Sequence, residues 1–360
     1  MKNFFSTLLI FSLLLVLCGA YIMYEAIIVP NNFPEEKSTI VFINKGMNFD
    51  DVISALEAKR VFRSRFYFDI MMRFFPGENR VIVGKYSIPS GLSNRELLAL
   101  LRTGGAIIPV VVTIPEGARI TTQARIFRNN VGIDSARFAS LAFSRTLISK
   151  LDIEAHSLEG YLFPSTYELM WQMNEEEIIA KQLEKFHSVF SEEKKMRAQK
   201  LGLTMHEVLT LASIVEGETR IDSERAIVAG VYLNRLKKNM PLQADPTIQY
   251  ILEGKPRLLT YRDYRIESPF NTYRYYGLPP GPVNNPGEKS MQAVLYPRKH
   301  RNIFFVANGN GGHTFTANYM EHLEAVKRLR KILREREEQK RNEQEQRLHR
   351  DSSSFSEKGE

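Results

Sequence analysis

Residues Phe4 to Met23 read FFSTLLIFSLLLVLCGAYIM, a run without a single charged side chain. Roughly twenty such residues, coiled as a helix, span the ~30 Å hydrocarbon core of a bilayer. Lys2 and the amino terminus lie before the run, so the positive-inside rule predicts a short cytoplasmic N-terminus with everything after the helix outside. A cleaved signal peptide is the competing reading, but the run is longer than a usual signal core and no small-x-small cleavage site follows it. Cys18 admits a lipoprotein signal, against which stands the bulky Leu17 where such signals carry a small residue. Cys18 is the only cysteine and falls inside the anchor, so the exported part has neither disulfides nor thiol chemistry and rests on packing.

The chain of 360 residues is 43% hydrophobic and 25% charged, enough for two or three domains with their own cores. Its net charge of +8 comes from a basic surplus scattered along the chain, and the segment from Lys327 to Arg350 mixes both signs. Nucleic acid is a poor partner for a chain that leaves the cytoplasm. An anionic lipid or an anionic wall polymer suits such a surface, which otherwise is simply solvated.

One local pattern occurs three times: an apolar stretch, a turn with Gly, then a helix-like segment. It appears as VFINKGMNFDDVISALEAK from Val41, YSIPSGLSNRELLALLRTG from Tyr86 and VVTIPEGARITTQARIFRN from Val112. In each, a β-rich strand reaches a Gly that permits a left-handed turn; Asn48 or Asp50 caps the first helix and Ser93 the second. Irregular spacing excludes a solenoid and favours small α/β modules. Compact modules of this kind in an exported chain invite comparison with LysM-like glycan-binding modules, beside the plainer role of a spacer. Further on, Asn174 caps a helix with the stripe Ile179, Leu183, Phe186 and Phe190, and Thr204 with Glu207 forms a capping box for the next. Asp222 or Ser223 starts another helix. A long stretch rich in Pro, Gly, Asn and Tyr then runs to about Gly287.

Several chemistries fail on spacing. HEVLT, from His206 to Thr210, opens like a zincin motif but has Thr210 where the second His is required. Neither a nucleophile elbow, a phosphate-binding loop nor a dinucleotide fingerprint occurs. No metal or cofactor is expected, and carboxylate chemistry remains. In LTLASIVEGETR, from Leu209 to Arg220, a helical projection puts Glu216 and Glu218 on opposite flanks of an apolar side, each roughly 80° from its centre. A carboxyl at the rim of an apolar wall loses hydration in its charged form, so its pKa rises and it can serve as a general acid. Geometry does not choose between the two, and a helix ending at Gly217 would void the projection for Glu218. In SPFNTYRYYGLPPGPVNNPG the rings of Tyr273, Tyr275 and Tyr276 and the amides of Asn271, Asn284 and Asn285 suit a polysaccharide groove, or else a loop packed by its own tyrosines.

The ordered set LEGYLFPSTYEL, LASIVEGET, ERAIVAGVYLNRL, PLQADPTIQY, FNTYRYYGLPPGPVNNPG and VANGNGGHTF, behind one N-terminal anchor, resembles the YceG-like (MltG-like) family of endolytic murein transglycosylases. The likeness covers about Val41 to Lys327. It implies cleavage of the β-1,4 bond between N-acetylmuramic acid and N-acetylglucosamine, with the muramyl 6-hydroxyl attacking its own C1 to leave a 1,6-anhydro end. One glutamate then serves as acid and afterwards as base. By motif that residue is Glu218, with Glu216 supporting. The resemblance also nominates Glu159, Tyr161, Asn234, Gln243, Asp245, Thr247, Asn271, Tyr273, His313 and Thr314 as supporting or substrate-binding. It implies a LysM-like module near the membrane, termination of nascent glycan strands, and peptidoglycan synthases as partners.

The fold expected is α+β: a transmembrane anchor with its cytoplasmic N-terminus over residues 1–30, a LysM-like strand-helix module over 38–108 and a connecting strand-helix segment over 109–156. An α+β catalytic domain with a helix-borne glutamate follows over 157–330, then a charged, disordered tail over 331–360. Two rival readings stand beside the lyase. A hydrolase would recruit Asp222, Asp245 or Asp263 as second carboxylate, and a silent wall-binding scaffold would use the glutamates only to hold its fold.

Overall fold

The computed structural model describes residues 2–31, 37–75, 80–252, 254 and 256–356. It is a mixed α+β protein that divides into two units: Met1–Thr113, Ala124–Phe138 and Thr166–Ile178 form the first, and Ile114–Gln123, Ala139–Ser165 and Ile179–Glu360 the second.

In the first unit the apolar run forms α1 (Lys2–Ile27), whose side chains from Phe4 to Ala20 are all exposed. Only its end is packed: Ala26 is buried and its carbonyl accepts a hydrogen bond from Asn94 Nδ2 at 2.9 Å. β1 (Pro30–Asn31) precedes β2 (Ser38–Ile43), α2 (Phe49–Ala58), α3 (Arg65–Phe74), β3 (Gly84–Pro89), β4 (Leu92–Ser93) and α4 (Asn94–Thr103). The first two strand-Gly-helix patterns are there, with Gly46 at φ 84° and Gly91 at φ 91°. Asn48 rather than Asp50 caps α2, in a capping box with Asp51, and Ser93 caps α4 with Glu96. The strands of the two patterns join in one sheet: β2 and β3 pair antiparallel from Ser38↔Pro89 to Ile43↔Gly84. Val41, Ile43, Tyr86 and Ile88 on the strands bury one cluster with Val52, Ile53 and Leu56 of α2 and Leu97, Leu98 and Leu101 of α4. β5 (Val110–Thr113) pairs antiparallel with β6 (Thr166–Leu169).

Between these strands run α5 (Ile120–Val131), α6 (Ser135–Ala142) and α7 (Arg145–Lys150), and α8 (Glu175–Val189) follows β6. The stretch 109–156, expected as a connector, therefore contributes residues to both units, because its contacts are with segments far away in sequence.

The second unit is built around α10 (Met205–Glu218), preceded by α9 (Glu192–Lys200) and followed by α11 (Asp222–Lys237) and α12 (Asp245–Ile251). The expected projection gave α10 one apolar side, but Val208 through Val215 are all buried. Its polar members are satisfied within the helix: Thr210 Oγ1 donates to the His206 carbonyl and Ser213 Oγ to the Thr210 carbonyl, both at 2.8 Å. α13 (Glu288–Leu295) packs on α10 and α11. β7 (Phe304–Ala307) and β8 (His313–Thr316) form an antiparallel pair that α14 (Tyr319–Ser356) covers at its start. As far as Ser356 the tail expected to lack order continues this helix, in which Lys331 and Glu335 pair at one-turn spacing, 3.8 Å apart. Residues 357–360 lie outside the described residues.

Candidate active site

Glu218 is the last residue of α10, and Thr219 in extended conformation ends the helix. Gly217 is thus helical, and its lack of a side chain has another cause: a Cβ there would lie 2.6 Å from Cβ and Cγ of Pro246, in the first turn of α12. The close approach seats α12 against the end of α10. Glu216 and Glu218 leave that end in different directions and meet different partners.

Glu216 is consumed by structure. Its side chain is 8% exposed and pairs with Arg225 of α11 at 3.0 Å. It also accepts from Gly287 N at 3.1 Å and from Ser290 Oγ at 2.8 Å, at the start of α13. Arg225, 6% exposed, further reaches Asp222 at 3.2 Å and Ser290 Oγ. Three helices are joined through one buried ion pair.

Glu218 is half-buried and, among the described residues, keeps one hydrogen-bond partner, Tyr232 of α11, whose hydroxyl donates to Oε1 at 2.7 Å. Burial pushes the Glu218 carboxyl up to about 7 against the opposing pull of the Tyr232 hydrogen bond; the Asp245 carboxylate adds to the rise and Arg235 tempers it. The cleft beside it has a volume of about 620 Å³ and is lined by Glu116, Arg119, Glu216, Glu218, Arg220, Pro246, Gln249 and Asn284. Glu116 also lines an adjoining cavity of about 590 Å³, and Arg119 another of about 660 Å³.

Asp245, exposed at the first turn of α12, accepts from the hydroxyls of Tyr273 at 2.6 Å and Tyr264 at 3.3 Å. These two rings pack with centroids 4.5 Å apart. Gln243 is exposed, in left-handed conformation at φ 51°, with its amide donating to the Thr272 carbonyl at 3.0 Å. Thr247 is buried and hydrogen-bonded with Thr272 at 2.9 Å. Asn271 is buried as a turn clamp: Nδ2 donates to the Ile266 and Tyr264 carbonyls at 2.7 and 3.1 Å, and Oδ1 accepts from Tyr273 N at 3.0 Å.

The remaining nominees lie elsewhere in the unit. His313 bonds Glu224 through its amide at 2.8 Å and Nδ1 at 2.7 Å, and Glu224 accepts from Thr219 at 3.2 Å, next to Glu218 in sequence. Thr314 pairs with Val306 within β7 and β8. Asn234 holds the His300 and Asn302 carbonyls at 2.9 and 3.0 Å. Tyr161 is 1% exposed and bonds His206 Nδ1 at 2.9 Å, and His206 in turn holds the Pro280 carbonyl at 3.0 Å. Glu159, 2% exposed, accepts from Ile120 N at 3.1 Å and Asn285 Nδ2 at 2.6 Å; burial pushes its carboxyl up to about 8 despite those donors and Arg119.

The amides expected in a sugar groove are mostly turned inward. Asn271 and Asn285 are fully buried, and Asn284, which reaches the cleft wall, spends its Nδ2 on the Ser213 carbonyl at 2.8 Å. Turning these amides inward satisfies the backbone of a loop otherwise poor in regular hydrogen bonds. Tyr275 and Tyr276 remain exposed. Sequence reasoning missed Tyr232, Arg225, Ser290 and Arg119. Only Tyr232 carried a signal, as the first residue of YLNRL in a helix predicted to follow Glu218 directly.

Fold and site together define an α+β protein with a carboxyl at the end of a buried helix, set in a polar cleft and poised to exchange a proton near neutral pH. The chain belongs to the YceG-like family, whose sequence model matches residues 41–328. It is 30% identical over 325 residues to the endolytic murein transglycosylase of Bacillus subtilis (strain 168), covering 86% of this chain and 90% of the relative. With the endolytic murein transglycosylase of Streptococcus pneumoniae serotype 2 it shares 28% identity, over 89% of this chain but only 64% of that longer relative. The crystal structure of a putative yceG-like protein from Listeria monocytogenes matches with a TM-score of 0.58 at 27% identity, over 80% of this chain and 98% of that one.

Proposed function

We propose that the chain is an endolytic murein transglycosylase with Glu218 as its single acid and base. The observation that carries this reading is the Glu218 carboxyl, raised to about 7 in the cleft while held by one phenol. In its protonated form Glu218 donates to the glycosidic oxygen between muramic acid and glucosamine, and the C1–O bond breaks. The resulting carboxylate takes the proton of the muramyl 6-hydroxyl as that oxygen bonds to C1. The 1,6-anhydro ring closes and Glu218 is protonated again, so no water is consumed. Tyr232 fixes the carboxyl and steadies its charged form between the two steps. Asp245, Tyr273, Gln243 and Arg220 flank the sugars, and Glu216 holds α10 against α11 and α13.

The rival hydrolase needs a second free carboxylate. Asp263 is bound by both guanidinium nitrogens of Arg257 at 2.8 Å, and Asp222 by Lys289 and Arg225, which leaves Asp245 of the three considered. Cavities adjoining the cleft on its Glu116 and Arg119 sides suit a strand that continues past the cut in both directions, as endolytic action requires. α1 holds the protein in the cytoplasmic membrane, with both units outside. The first unit's β2-α2-α3-β3-α4 core serves as a LysM-like glycan-binding module. Placed there, the enzyme ends the growth of nascent strands beside the synthases that make them.

The test is mass spectrometry of peptidoglycan digested by the full-length chain in detergent, with Glu218→Gln alongside. Anhydro-muramyl ends from the unaltered chain alone are expected. Reducing ends would make the protein a hydrolase with Asp245 as the second group, and intact glycan from both would leave the scaffold reading.

A further inference from the structure

Arg119 lines the cleft that holds Glu218 and also the cavity of about 660 Å³ whose wall includes Phe143, Glu159, Tyr250 and Phe270. Its guanidinium lies over the Tyr250 ring at 5.3 Å, and Tyr250 packs on Phe270 with centroids 4.9 Å apart. Among the described residues this guanidinium has no hydrogen-bond acceptor and no ion pair. Two buried arginines of the same unit differ: Arg225 is tied to Glu216, and Arg235 to the carbonyls of Ile303 and Leu242 at 2.7 and 2.6 Å. The nearby acid does not fill the gap. Glu159 directs its oxygens to Ile120 N and Asn285 Nδ2, and its raised titration leaves it a weak counter-charge at neutral pH.

A planar cation over a ring, lining a cavity and without an acceptor among the described residues, is suited to take a carboxylate through two parallel hydrogen bonds. In a murein strand the sugars and acetamido groups are uncharged, and the free carboxylates belong to the peptides on the muramyl residues. We propose that Arg119 and Tyr250 form a subsite for a stem-peptide carboxylate, so that the enzyme selects glycan whose peptides are still attached and carry free acids. The inference rests on reading the Glu218 cleft as the murein site, and it adds a selection that cutting the sugar bond does not require.

The test is a binding cycle on the full-length chain carrying Glu218→Gln, held in detergent. One probe is a soluble murein tetrasaccharide whose stem peptides keep their carboxylates; the other is the same compound with those carboxylates amidated, alike in shape and without the charge. Amidation is expected to weaken binding about tenfold, the scale of a charge-assisted bidentate contact, and to have no effect once Arg119→Gln is added. Arg119→Lys, which keeps the charge and loses the fork, should retain only part of the preference, and serves as the reading variant if Arg119→Gln unfolds. Equal affinity for the two probes, including no binding of either, overturns the proposal, as does a preference that survives Arg119→Gln. Digestion of the acid-bearing probe by the chain with Glu218 intact is scored separately. Absence of anhydro product with the preference intact sinks the transglycosylase and leaves the subsite; product without the preference does the reverse.

Discussion

Glu216 and Glu218 are the same residue type two positions apart, and their partners alone separate them. Three donors, one from α11 and two from the start of α13, converge on Glu216, whereas among the described residues Glu218 receives one hydroxyl and faces a cleft. A hydrogen bond to a carboxylate stabilises the charged form, so Tyr232 lowers a pKa that burial has raised. Because the proposed first step uses protonated Glu218, activity should fall as pH rises through about 7. Tyr232→Phe removes the donor and leaves the burial, so the falling limb should move up by about one pH unit, the worth of a hydrogen bond to a charged group. A pH–rate profile for the two proteins checks this, and an unmoved limb would detach Tyr232 from the titration of the acid. A desolvated carboxyl at the end of α10 was legible in the apolar run behind it, but that run did not choose between Glu216 and Glu218; the family motif proposed Glu218. Tyr232 was not legible, since the pairing depends on how α11 returns along α10, which no local pattern records.

At the scale of elements, what was legible is what neighbouring residues decide. The Gly of each strand-Gly-helix pattern and the caps Asn48, Ser93 and Thr204 act within a few residues, and the structure has them where the sequence put them. The antiparallel pairing of β2 with β3, from Ser38↔Pro89 to Ile43↔Gly84, brings the first two strand-Gly-helix patterns into one core. The inward turn of Asn271 and Asn285 likewise depends on distant backbone groups. The joint between α10, α11 and α13 is of this second kind, a buried pair of Glu216 and Arg225 that no spacing rule foretells. Removing one member strands the other without water. Arg225→Met should therefore cost about 3–5 kcal/mol, whereas Glu216→Gln, which can still meet Ser290 and Gly287, should cost less. In the double variant the stranded charge is gone, so part of the Arg225→Met loss should return. Chemical denaturation of the three variants measures this, and a double variant no more stable than Arg225→Met would show that the pair is not the joint.

For the whole molecule, the long apolar N-terminal helix was the easiest feature to read, because it is defined by length and composition alone. The division of 109–156 between two units was the hardest, since it depends on contacts with segments that come later in the chain. α1 leaves Phe4 71% and Leu9 72% exposed, surface that water penalises and lipid accepts, while Ala26 at its other end is buried in the first unit. A helix apolar from Phe4 to Tyr24 and packed only at its C-terminal end is compatible with a single-pass membrane anchor. The positive-inside rule predicts from Lys2 that the units lie outside, and the proposed reaction on a wall polymer requires it. Cys18 is the only cysteine, so Cys18→Ser yields a chain without thiols, into which one reporter can be placed. Ser191 suits the purpose: it is exposed, and as N-cap of α9 its side chain makes no capping hydrogen bond, so Ser191→Cys should leave the fold intact. In protoplasts of cells expressing the double variant, a membrane-impermeant maleimide should label Cys18→Ser/Ser191→Cys without lysis and leave Cys18→Ser alone unlabelled. Labelling only after lysis would put the cleft in the cytoplasm, where no assembled murein exists, and the proposed reaction would lose its substrate.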